Sequence, residues 1–140
     1  MKILVAVDGS EISTRALKHA ASLAKAMAKP ARLTVVAVDD ALFPGAERKL
    51  GAEAVREHHA GNFARMLAPA KKALARSSLA VDYVEVVGAV AQGVLDTAAK
   101  RKVNLVVMGS RGSGGIKGTL LGSVSLKVLA GSPVPVTIVQ

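Results

Sequence analysis

Cysteine is absent from the 140 residues, so disulfides and thiolate chemistry are both excluded. Tryptophan is absent too, and Phe43, Phe63 and Tyr83 are the only aromatics. A core built from this chain is therefore aliphatic, mostly Val, Leu and Ala. Three scattered rings also give nucleic-acid bases no platform to stack on. No uncharged apolar run reaches about 18 residues, so no membrane-spanning helix is expected. Acidic residues are scarce. Ten Asp and Glu stand against 19 Lys and Arg, for a net charge of +9. Such a balance can favour anionic partners. The cations are spread along the chain, though, with Arg15, Lys18, Lys25 and Lys29 on one solvent face of a helix. Nucleic acid is not the expected partner. Part of the charge can instead steer a small anion.

Several catalytic signatures are missing as well. There is no G-x4-G-K-S/T, so the chain is no P-loop NTPase. No G-x-G-x-x-G follows the first strand, which argues against a dinucleotide enzyme. No G-x-S-x-G elbow exists. His19, His58 and His59 show no H-E-x-x-H spacing. His58 and His59 are consecutive on a helix, are expected to point apart, and read as surface or half-buried residues. Met1-Lys2 leads directly into ILVAV. That run is too short, and Asp8 comes too soon, for a secretory signal, so a cytoplasmic location is expected.

The length suits one domain over residues 1–140, large enough to bury roughly two-thirds of its unfolded surface. Apolar runs at Lys2–Val7, Leu33–Val38, Leu79–Val87, Asn104–Met108 and Val134–Val139 read as five strands. Partial alternation in VDYVEVV suits an edge. Helical spacing is expected over Glu11–Ala28, Gly51–Ser78, Ala89–Lys102 and Ser123–Ala130. Pro69 predicts a kink or break near Ala68. Asp39–Leu50, with Pro44-Gly45, reads as irregular. Strands alternating with helices predict an open, parallel five-stranded sheet with helices on both faces, Rossmann-like. Right-handed crossovers allow the order 3-2-1-4-5.

One stretch stands out. VVMGSRGSGGIKGTLLGSVS, Val106 to Ser125, holds six of the thirteen glycines. It runs from a strand, through Gly109, Gly112, Gly114, Gly115, Gly118 and Gly122, to Ser123 at a helix start. Glycine lets backbone approach a ligand closely. A Ser at a helix start is expected to cap free N–H groups. Those groups and the helix dipole favour an anion, most often phosphate. In the order 3-2-1-4-5 the first and fourth strands are neighbours, and ligands bind where the order reverses. Asp8 would then face Gly109. A carboxylate opposite a phosphate loop points to ribose hydroxyls or a metal. The alternative makes Asp8 a turn residue or the cap of the first helix.

The spacing G-x2-G-x9-G-S resembles the nucleotide-binding signature of the universal stress protein family, in its ATP-binding branch. AVDGS, LTVVAVDD, VVMGSRG and SPVPVTIVQ extend the resemblance over nearly the whole chain. It implies an adenine-nucleotide-hydrolase-like fold, a stress-response role and ATP as ligand, alone or with Mg²⁺. It implies Asp8 near the ribose and the backbone of Val38 reading adenine. Met108 and Gly109 would flank the ribose. Gly112, Gly122, Ser123 and the Val124 amide would hold phosphates. Arg111 and Lys117 could pair with phosphate or stay solvated. It also implies a homodimer through the exposed last strand, Val134 to Val139. One departure is the missing Pro in Gly88-Ala89-Val90. Another is Gln92-Gly93, because Gly early in a helix weakens it. No general base stands out, so binding with at most slow hydrolysis is expected. Two alternatives stay open. One is a weak Mg²⁺-dependent ATPase or phosphoryl-transfer protein using Asp8. The other is an interaction module indifferent to nucleotide.

Overall fold

The computed structural model describes residues 1–112 and 120–140. Five parallel strands form one sheet in the order β3-β2-β1-β4-β5. β1 is Lys2–Ala6, β2 Arg32–Asp39, β3 Val81–Val87, β4 Leu105–Gly109 and β5 Val136–Val139. The helices are α1 Glu11–Ala26, α2 Ala46–Leu50, α3 Ala52–Leu74, α4 Val90–Arg101 and α5 Ser123–Gly131. β1 sits between β2 and β4, with Val5 opposite both Val35 and Val107.

Strand side chains alternate between two aliphatic layers, as the period of two requires. Ile3, Val5, Leu33, Val35 and Val107 pack under α1 and α3 with Leu17, Phe63 and Leu67. Leu4, Val36, Val38, Val106 and Met108 pack under α4 and α5 with Val94, Ala98 and Val128. Ala16, Ala20 and Ala24 recur every fourth residue on α1 and are fully buried. Their small side chains let that helix lie close to the sheet.

Two expectations change. Residues 39–50 are not all irregular, because α2 forms within them. α3 is not broken at Pro69. It continues to Leu74, and Gly51 before it holds φ +90°. Proline costs a helix one N–H donor, and the packing of Phe63, Leu67 and Ala70 against the sheet offsets that loss. Gly93 is also explained. A Cβ there would lie 2.8 Å from Val38 Cγ1 and 3.3 Å from Val86 Cγ1. The glycine gives up helix propensity so that α4 can sit directly on β2.

Candidate functional site

At the carboxyl ends of β1 and β4 the chain diverges to opposite faces of the sheet. β1 leads to α1 and β4 to α5, which leaves a cleft of about 400 Å³ between them. Cavities of this size suit small ligands.

The β1 side is built by DGSEIS. The Ser10 N–H donates to Asp8 Oδ1 at 2.9 Å, closing a turn. Ser10 Oγ then accepts from the Ser13 N–H at 3.2 Å and caps α1. Asp8 is thus the turn residue, and Ser10 is the helix cap. Gly9 holds φ +84°, and a Cβ there would lie 3.1 Å from the Arg65 carbonyl oxygen. Only glycine makes this turn against α3 without strain.

The β4 side is tied down by buried hydrogen bonds. The Ser110 N–H donates to Val139 O at 2.7 Å, and the Gly122 N–H donates to Ser110 O at 2.8 Å. Ser125 Oγ lies 3.0 Å from both Gly109 O and Ser110 O. These bonds bring the start of α5 back to the end of β4. Ser123 is not its cap, contrary to expectation. Gly122 holds that position, and no side chain caps the helix among the described residues. The first intrahelical bond is the Leu126 N–H to Gly122 O. The N–H groups of the first turn therefore face outward at the positive end of the helix dipole.

The two sides meet. A Cβ on Gly112 would lie 2.8 Å from Asp8 Oδ2, so Asp8 faces Gly112 more closely than Gly109. Asp8, Val38, Met108, Gly109, Arg111, Gly112, Gly122, Ser123 and Val124 all line the one cleft. Val38 and Met108 are buried and form an apolar floor with Val36 and Val94. Asp8, Arg111 and the start of α5 form the polar end. Lys117, Ser113, Thr119, Gly114, Gly115 and Gly118 lie outside the described residues.

The matching family model is that of the universal stress protein family, and it covers residues 1–140. The chain belongs to the universal stress protein family. Universal stress protein YxiE of Bacillus subtilis is 34% identical over 147 residues, covering 99% of this chain and 98% of its own. The solved structure of hypothetical protein MJ0577 superposes with a TM-score of 0.83 at 28% identity, covering 99% of this chain and 94% of that one. A universal stress protein solved in complex with cAMP superposes at 0.71 with 26% identity, covering 100% of this chain and 97% of that one.

This universal stress protein also places two carboxylates in the cleft that the motif did not mark, Asp39 and Asp40. Asp39 is the last residue of β2. Its Oδ2 lies 2.6 Å from His59 Nδ1 and accepts from Asn62 Nδ2 at 2.9 Å. Burial raises the Asp39 carboxyl, but the bonds from Asn62 and His59 outweigh it and hold the group below its ordinary value. His58 and His59 do not point apart. Their rings meet edge to face at 5.3 Å. The sequence signal was the ladder His58-His59-Asn62-Arg65, spaced to share one side of α3 opposite the end of β2.

Proposed function

We propose that this protein binds an adenine nucleotide, ATP above others, in the cleft between β1 and β4, as a cytoplasmic stress-response protein. The observation that carries the reading is the polarity of the cleft. Its floor of Val38 and Met108 is apolar and suits a base. Its other end offers a carboxylate for ribose hydroxyls and an open helix N-terminus for phosphates. The cAMP complex of a relative supports the ligand class. In this reading Asp8 meets the ribose, the Val38 backbone meets adenine, and Met108 and Gly109 flank the sugar. Arg111, Gly112, Gly122, Ser123 and the Val124 amide hold the phosphates. Mg²⁺ would accompany the phosphate chain. Asp8 already serves the β1 turn, and Asp39 serves His59 and Asn62, which supports binding with at most slow hydrolysis.

Calorimetric titration with ATP and Mg²⁺ tests this, beside Gly122→Val. Among the described residues a Cβ at Gly122 makes only ordinary 3.6 Å contacts, so the backbone there accepts a side chain. The added bulk stands where phosphate would approach α5. Wild type is expected to bind and the variant to bind at least about tenfold more weakly, a loss of ~1.4 kcal/mol. Absence of binding by wild type defeats the reading.

A homodimer is the second part of the proposal. Among the described residues β5 pairs with β4 alone and stands at the sheet edge. Beside it on α5, Leu126 is 52% and Leu129 46% exposed. Pairing two β5 strands across a two-fold axis would cover the edge. Light scattering at micromolar concentration should give twice the chain's 14.3 kDa. A mass of one chain would sink it.

A further inference from the structure

The ladder on α3 has no part in the nucleotide reading. His59 is buried, and its contact with Asp39 accounts for its place. His58 needs another account. It is exposed, and a solvated helix histidine is free to turn outward. Instead its Nε2 lies 3.2 Å from Asn62 Nδ2, beside the Asp39 carboxylate. Asp39, His58 and His59 each offer one ligating atom, and these atoms lie within 4.8 Å of one another. Arg65 donates to Asn62 Oδ1 at 2.8 Å, which fixes the amide that orients Asp39.

We propose that Asp39, His58 and His59 bind a divalent transition-metal ion of the zinc class at the outer rim of the cleft. Two imidazoles and a carboxylate are a zinc-type donor set, and bonds of about 2.0–2.2 Å place tetrahedral ligands roughly 3.3–3.5 Å apart. Small side-chain rotations bring the three atoms to that spacing. The ion takes the place of the hydrogen bond between His59 Nδ1 and Asp39, with the imidazole N–H carried on Nε2, so that the ligands are a neutral imidazole and a carboxylate. Exposed His58 leaves the fourth position to water. Asn62 keeps its bond to Asp39 and acts as an orienting partner to the ligand. Two ring nitrogens disfavour Mg²⁺ and Ca²⁺, which take oxygen donors. This site is therefore separate from any Mg²⁺ carried by a nucleotide. Asp39 directly follows Val38, so a bound ion would pin the end of β2 to α3 at the cleft edge.

The test is a calorimetric titration of the full chain with ZnCl₂, in a non-coordinating buffer and without nucleotide. Wild type should take up one ion per chain. His58→Ala and Asp39→Asn should each bind at least about tenfold more weakly, since even loss of an outer partner costs that much. His58 is exposed, so its alanine variant keeps the core, and far-UV circular dichroism checks this for both. If Asp39→Asn does not fold, His58→Ala alone decides. No uptake by wild type overturns the proposal. So does undiminished uptake by either folded variant. Nucleotide is absent, so failure here leaves the ATP titration untouched, and the reverse also holds.

Discussion

Alanine at Gly112 is expected to weaken ATP binding at least about tenfold while leaving the fold intact. The reason is what the new methyl would meet. Among the described residues, a Cβ at this position meets only the Asp8 carboxylate, 2.8 Å from Oδ2 and 4.0 Å from the carboxyl carbon. Gly112 is exposed, and its φ is not in the left-handed range. The backbone therefore tolerates alanine, and among the described residues it is the Asp8 carboxylate that has to give. It is not free to swing far, because Oδ1 accepts the Ser10 N–H at 2.9 Å. The displaced oxygen is the one facing the cleft. A hydrogen bond to a charged group contributes about 1.5–3 kcal/mol, so losing its geometry costs tenfold or more. Calorimetry gives the affinity, and thermal melting gives the stability. Unchanged affinity with Asp8 displaced would remove the ribose role from this carboxylate.

The fold could be read from the sequence because every strand is a short β-branched run and every helix except the short α2 carries an apolar stripe. Both periods agree with one architecture, and a parallel sheet with right-handed crossovers leaves few orders to choose from. What escaped was local. Pro69 suggested a break because proline removes a donor, but propensity cannot register the tertiary contacts of Phe63, Leu67 and Ala70. Gly93 looked out of place on α4 because its reason, Val38, lies 55 residues earlier on β2. Ser123 looked like a cap because it is the first polar residue of its helix. The chain enters one residue earlier, at Gly122.

The cleft divides in the same way. Glycine spacing marked both arms, since G-x2-G and G-S flank the end of β4 and the start of α5. It could not show that a buried serine holds the arms together. Ser125 Oγ reaches the carbonyls of Gly109 and Ser110, 16 and 15 residues away. Nor could it show Asp39 beside His59, which requires β2 and α3 to cross at a known place. Adjacent histidines on a helix were expected to diverge by about 100° per residue. Asp39 and Asn62 supply the polar targets that bring the two rings together, His59 buried on Asp39 and His58 exposed beside Asn62.

The same substitution three residues earlier should do the opposite of Gly112→Ala. Gly109→Ala is expected to destabilise the fold by about 1–3 kcal/mol, the range for overpacking a tight site. Gly109 is buried at the end of β4, under the first turn of α1. A Cβ there would lie 2.5 Å from Ile12 Cγ2, 3.2 Å from Arg111 O and 3.4 Å from Ile12 C. Two of these three atoms are backbone, and the third sits on the stiff β-branched carbon of isoleucine. β4 cannot retreat, because it pairs with both β1 and β5 and Ser125 holds its last carbonyl. α1 would have to move, and Ala16 and Ala20 leave it no slack against the sheet. For a domain of this length each kcal/mol lowers Tm by roughly 3–4 °C, so the variant should melt roughly 3–12 °C below wild type. Thermal unfolding of Gly109→Ala and Gly112→Ala side by side separates the two glycines. Equal melting temperatures would mean that β4 and α1 yield at Gly109, and the rigid seam argued for this end of the sheet would be wrong.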